Sequence, residues 1–213
     1  MFFSRRNRVY KAKIPGMENE AFTVIKDFIS KEDCARELNA LITLNNSGSP
    51  VPRLLYHRDK RLYMQYIDGE CMVDIIRQSP DEKIMLLGNC LESLYNGLKA
   101  GYPGKSMILG DMNLRNFIFS SRKNRIYRVD LESVKEGCIE RDIGELCAFC
   151  MSYDPAFTRD KTELAHGIFR CYTVRFGLSR TKAINSILSG LRDIKDRRGI
   201  IIPPLIYSSI SGW

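Results

Sequence analysis

Apolar and polar positions alternate strand-like over the first third of the chain and then change to a helical period. RVYKAKI (8–14) and AFTVIKDF (21–28) are rich in β-branched and aromatic residues and are separated by Pro15-Gly16, which predicts a hairpin. From Ser30 the apolar residues Cys34, Leu38, Leu41 and Ile42 recur on one helical face, and Ser30 with Asp33 has capping-box spacing. Asn45-Asn46-Ser47-Gly48 ends that helix. PRLLYH, the turn Arg58-Asp59-Lys60 and RLYMQYI then predict a second hairpin, closed by Asp68-Gly69. At most five strand-like segments around one helix, with no parallel-sheet alternation, indicate a small α+β lobe.

Beyond residue 78 the period is mostly helical. Ser79, Pro80 and Glu82 give an N-cap, a first-turn proline and a glutamate three residues after the cap, and Ile84, Leu87, Leu91, Leu94 and Leu98 carry one face on to Gly101. FIFSS and RIYRVDL form a β-rich pair around Arg122-Lys123-Asn124. Further helices are predicted near 142–153, 160–176 and 179–195. The second has Asp160 and Glu163 as a capping pair, and the third buries Ala183, Ile184, Ile187, Leu188, Leu191 and Ile194. The expected fold class is α+β and two-lobed: an N-terminal lobe over 1–68 with a small antiparallel sheet, a hinge and linker over 69–78, and a mainly helical lobe over 79–213.

Composition narrows the partners. The 213 residues suffice for one domain or two small lobes, and 33 Lys and Arg against 25 Asp and Glu leave a formal charge of +8. A surface so charged attracts an anion, with nucleotide, RNA, anionic lipid and plain solubility all open. Seven scattered cysteines, most in apolar runs, suit a reducing cytoplasm. Cys147 and Cys150 form a lone C-x-x-C, and His57 and His166 are the only histidines, so packed thiols are expected there rather than zinc. Arg5, Arg6 and Arg8 interrupt any N-terminal signal core, and no apolar run reaches a membrane span.

The chemistry concentrates in ILGDMNLRNFIF, where Asp111 and Asn116 form D-x-x-x-x-N, with Asp130 fourteen residues further on at the end of an apolar strand. Phosphoryl transfer from a magnesium nucleotide needs a carboxylate near the attacking hydroxyl and oxygen ligands for the metal, and these three side chains are of the types that could supply both. The same residues also suit turns, since Asp and Asn favour them. Glu132 projects to the same side as Asp130 and reads equally as a metal helper or a surface group. Lys26 and Glu37 read alternatively as solvated charges, and Arg122, Lys123 and Arg125 as a solvated turn.

In this order the motifs resemble the aminoglycoside phosphotransferase and choline kinase branch of the protein-kinase-like fold, over nearly the whole chain, with small atypical Bud32-like kinases as the nearest alternative. SRRNRVYKA is similar to its phosphate-covering loop, VIK to the strand of the nucleotide lysine, and CARELNALITLNNSGSPVPRLL to the helix and turn after it. LYMQYIDGE resembles the hinge, LGDMNLRNFIF the catalytic loop and VDLE the metal-binding strand end. The resemblance implies Asp111 as catalytic base and Asn116 with Asp130 as ligands of Mg. It implies Lys26, with Glu37 as its ion-pair partner, and Ser4, Arg5, Arg6 and Asn7 at the phosphates of ATP, and Gln65, Tyr66 and Ile67 at the adenine. Asp142 falls where a helix-initial aspartate braces the catalytic loop, and Leu109 stands where the family has histidine. The implied activity is transfer of a γ-phosphoryl group to an unidentified hydroxyl acceptor. A pseudokinase that binds nucleotide without turnover and a basic nucleic-acid-binding module are the alternatives.

Overall fold

A computed structural model describes residues 7–13 and 22–213. The fold is α+β, with a small sheet-and-helix lobe followed by a larger, mainly helical one. β1 (Arg8–Ala12) and β2 (Thr23–Asp27) pair antiparallel with Val9 opposite Lys26, as the alternation predicts; Pro15-Gly16 lies outside the described residues. β3 (Leu54–Arg58) and β4 (Arg61–Gln65) form the second hairpin, and the sheet order is β1-β2-β4-β3.

Between the hairpins runs α1 (Lys31–Asn46), whose N-cap Ser30 accepts a hydrogen bond from the Asp33 amide. Its buried stripe is Cys34, Glu37, Ala40, Leu41 and Leu44, whereas Leu38 is half-buried and Ile42 is exposed. The helix is thus rotated from the face that apolarity alone predicts. A carboxylate enters the interior because a lysine on β2 meets it there.

β5 (Glu70–Cys71) and the single turn α2 (Met72–Ile75) lead into α3 (Pro80–Gly101). Next come β6 (Met107–Ile108), β7 (Phe117–Ser120), β8 (Arg125–Arg128) and β9 (Lys135–Glu136). β7 lies between β5 and β8, and β6 pairs with β9. The chain then forms α4 (Ile139–Ser152), α5 (Arg159–Arg175), α6 (Arg180–Arg198) and α7 (Pro204–Ser211). Two expected capping bonds are not made: Ser79 is the N-cap of α3 but its side chain makes no capping hydrogen bond, and the N-cap of α5 is Thr158, which leaves Asp160 inside the first turn instead of capping it.

α4 is the centre of the helical lobe, buried almost throughout from Asp142 to Ser152, and Cys147 and Cys150 are packed thiols within it. Its neighbour α6 comes close at Gly144, where a Cβ would lie 2.4 Å from Ser186 Cβ and 2.7 Å from the Ile187 nitrogen. One apolar core runs through both lobes, from Leu41 and Leu44 on α1 through Leu94 and Leu98 on α3 to Ile187 and Leu191 on α6. The Arg128 amide on β8 donates to the Pro50 carbonyl at 2.9 Å, and Ser49 Oγ donates to the Ser93 carbonyl at 3.0 Å, so the segment after α1 is tied to the helical lobe. Among the described residues no helix is long and apolar enough to cross a membrane.

Candidate active site

β2 is covered on both faces, so Lys26 is buried although its neighbour Ile25 is buried as well. Its ammonium lies 2.6 Å from Glu37 Oε2, 3.3 Å from Asp130 Oδ1 and 3.3 Å from Glu132 Oε2. Burial opposes the charge on Lys26, but the carboxylates of Glu37, Asp130 and Glu132 outweigh it and raise its pKa, so the lysine stays protonated. Glu37 is driven the other way from an ordinary carboxylate: burial raises its pKa, and Asp130 and Glu132 add to that while Lys26 opposes it. Its second oxygen, Oε1, is buried with no hydrogen-bond partner among the described residues.

Glu132, which the sequence leaves between a metal role and a surface role, belongs to this cluster. It accepts from Asn7 Nδ2 at 2.7 Å, and its carbonyl accepts from Arg36 Nη1 at 2.9 Å. Asn7 Oδ1 in turn accepts from the Ile29 amide at 3.4 Å, which places the start of β1 over the cluster. Ser4, Arg5 and Arg6 lie outside the described residues.

Ligand oxygens of Glu37, Asp130 and Glu132 lie within 4.8 Å of one another. Hard oxygen donors of this kind fit a magnesium ion, with the outer two the more accessible. Asn116 stands beside them through the backbone: the Val129 amide donates to the Asn116 carbonyl at 3.0 Å, and Asp130 is the next residue.

The loop before β7 holds Asp111 in an unusual backbone conformation, with φ 39° at Asp111 and φ 61° at Gly110. A left-handed φ at a non-glycine residue is costly and persists only when its surroundings impose it. Asn116 Nδ2 donates to both the carbonyl and Oδ2 of Asp111, at 3.0 Å each, and the Asn113 amide donates to the same carbonyl at 2.7 Å. Beneath the loop, buried Asp142 accepts from the amides of Leu109 at 2.8 Å and Gly110 at 3.0 Å and from the Tyr95 hydroxyl at 3.0 Å. Burial raises the Asp142 pKa, and those hydrogen bonds oppose the rise. Further along, Tyr153 donates to Asn113 Oδ1 at 2.8 Å and accepts from the Leu114 amide at 2.8 Å.

Gln65, Tyr66 and Ile67 line a separate cavity of about 310 Å³, together with Asp68, Glu70, Ser120 to Lys123 and Tyr127. Neither Lys26, Asp111, Asn116 nor Asp130 lines it. The described residues therefore bring Lys26, Glu37, Asp130, Glu132 and Asn7 together, set Asp111 and Asn116 beside them, and leave Gln65, Tyr66 and Ile67 in their own cavity.

Sequence reasoning missed Tyr95, Arg128, Glu145 and Tyr153. Glu145 is a carboxylate whose pKa is raised by burial, by Asp111 and by Asp142. Its sequence signal was a charge on the otherwise apolar IGELCAF. Tyr95 is buried and Tyr153 half-buried, and their hydroxyls reach polar loops, for which aromatic periodicity gives no warning.

No family model matches the chain, and no curated protein matches it. Among solved structures it is similar to the Cydia pomonella granulovirus kinase PK-1, with 19% identity and a TM-score of 0.47 over 60% of this chain and 48% of that one. The chain thus spans about half the length of that kinase structure.

Proposed function

We propose that this chain is an ATP- and magnesium-dependent phosphotransferase of protein-kinase-like fold that moves the γ-phosphoryl group to a hydroxyl. The observation that carries this reading is the buried Lys26–Glu37 pair standing 3.3 Å from the carboxylates of Asp130 and Glu132. A buried cation beside partly exposed carboxylates suits phosphate on one side and a divalent cation on the other. When bound, magnesium would neutralise the charge on the transferring phosphoryl group, held by Asp130, Asn116 and Glu132.

Lys26 would contact phosphate, and Glu37 keeps that ammonium aimed. Asp111, held by Asn116, would orient the acceptor hydroxyl and take its proton. Asn7, with Ser4, Arg5 and Arg6, is assigned to the phosphates, and the backbone of Gln65 to Ile67 to the adenine. We retain 1–68 and 79–213 as the two lobes around the hinge and linker at 69–78, the aminoglycoside phosphotransferase and choline kinase branch, and a cytoplasmic location. The acceptors that the resemblance implies are a small alcohol, an amino sugar or other saccharide, and a protein serine.

The test is transfer or hydrolysis of radiolabelled γ-phosphate by wild type and Asp111→Asn. The substitution is nearly isosteric, so nucleotide binding should survive. Turnover should fall about 10²–10⁴-fold, the usual worth of a positioned general base. Equal turnover in the two proteins removes Asp111 from that role. Magnesium-dependent ATP binding by a wild type that turns over no acceptor and hydrolyses no ATP favours the pseudokinase alternative.

A further inference from the structure

β8 carries a charge into the interior. Ile126, Tyr127 and Arg128 are all buried, and Arg128 is 0% exposed. Its guanidinium meets no carboxylate at salt-bridge distance among the described residues. Nη2 donates to the carbonyls of Gly110 at 2.9 Å and Asp111 at 3.1 Å, and Nε donates to the carbonyl of Asp130 at 2.7 Å. The guanidinium carbon lies 4.9 Å from the centre of the Phe117 ring, and Nη1 is buried without an acceptor among the described residues. The Arg128 amide is the donor that ties β8 to Pro50.

Burying a charge is expensive, and well-packed apolar residues often replace one without loss of stability. The cost is understandable if the planar fork does something an apolar side chain cannot. Here it gathers three main-chain carbonyls from two segments, those of Gly110 and Asp111 in the loop and that of Asp130 beyond β8. Asp142 holds the same loop by its amides, at Leu109 and Gly110. The main chain from Leu109 to Asp111 is therefore held by a buried anion at the amides of Leu109 and Gly110 and by a buried cation at the carbonyls of Gly110 and Asp111, the two peptide groups that flank Asp111.

We propose that Arg128 is a positioning residue that imposes the left-handed conformation of Asp111 and holds the Asp111 loop in register with Asp130. This rests on the reading of Asp111 and Asp130 as the carboxylates of phosphoryl transfer. Arg128 touches neither carboxylate, so removing it leaves Lys26 and the nucleotide contacts in place. What is lost is the fixed relation between the group that orients the acceptor and the group that would hold the metal. Misplacement by about 1 Å in such a site can cost about 100-fold in rate.

The experiment compares Arg128→Met and Arg128→Lys with wild type by hydrogen exchange and by steady-state kinetics. In Arg128→Met, exchange over residues 110–116 should rise about tenfold while α3 and α4 stay protected, as expected for local rather than global opening. Turnover should fall about 100-fold through kcat, with the KM for ATP changed by less than about threefold. Arg128→Lys keeps a charge and donors but not the fork, and should recover part of both losses.

Wild-type exchange and kcat in Arg128→Met would overturn the proposal. So would loosening spread evenly over the protein with no recovery in Arg128→Lys, or failure of both variants to fold, since each makes Arg128 merely structural. If Arg128→Met alone fails to fold, an Arg128→Lys protein with unchanged exchange and kcat overturns the proposal equally. A wild type that neither binds magnesium-ATP nor turns over sinks the phosphotransferase reading instead, and the exchange comparison still decides whether Arg128 holds the loop.

Discussion

Lys26 lies within 3.3 Å of three carboxylates, so its removal does more than delete a phosphate contact. Lys26→Met leaves Glu37 fully buried with no other cation within salt-bridge distance among the described residues, and breaking a buried pair from one side costs about 3–5 kcal/mol. The double variant Lys26→Met/Glu37→Leu should regain most of that stability while still failing to bind ATP. Urea unfolding of both proteins checks this; equal stability of the single and double variants would mean that Glu37 does not depend on Lys26. Glu37 was legible only through the family resemblance, because the predicted apolar stripe of Cys34, Leu38, Leu41 and Ile42 leaves it on a solvated face. Arg128 was not, because beside Arg122, Lys123 and Arg125 it reads as one more basic residue near a turn. The carbonyls that give it meaning belong to Gly110 and Asp111, far away in sequence.

The elements that carry the site are long helices and short strands, and the two kinds differ in how far the sequence reveals them. α1, α3, α5 and α6 each repeat an apolar face over several turns, so their existence follows from periodicity. α2, α7, β5, β6 and β9 are too short to repeat anything, and tertiary packing decides them. Helix rotation is also a tertiary outcome, as α1 demonstrates by burying Glu37 and exposing Ile42. Contact between α4 and α6 depends on Gly144, where an added Cβ would meet the Ser186 carbonyl carbon at 2.6 Å. Backbone cannot yield as a flexible side chain does, so Gly144→Ala should cost about 1–3 kcal/mol. Its melting temperature should fall by roughly 2–4 °C for each kcal/mol, and an unchanged value would mean that the helices do not meet so closely.

Taken whole, the molecule buries many groups that ionise in alkali. Burial pushes Cys90 and Cys150 up to about 12 from 9.0, and it also raises Cys147, Tyr95 and Tyr172 above their ordinary values. These groups hold their protons in the folded state at pH values where the unfolded chain releases them. Their contribution is complete below the unfolded pKa and is lost as pH rises from about 9 towards about 12. Each fully engaged group costs about 1.4 kcal/mol per pH unit in that window. Urea midpoints should therefore fall steeply between about pH 9 and about pH 11, and a flat profile would mean that these side chains reach water.

Nucleotide and metal recognition is decided by the melting temperature of wild type and Asp130→Asn with ATP or adenosine, with and without magnesium. At about 100 times its dissociation constant a ligand stabilises the folded state by about 2.7 kcal/mol, which for a chain of this size is an upward shift of roughly 5–11 °C. Magnesium-ATP should produce that shift in wild type, ATP without the metal much less, and Asp130→Asn should lose the magnesium-dependent part. No magnesium-dependent shift in wild type, or the same shift in Asp130→Asn, would contradict a phosphotransferase site built on Lys26, Glu37 and Asp130.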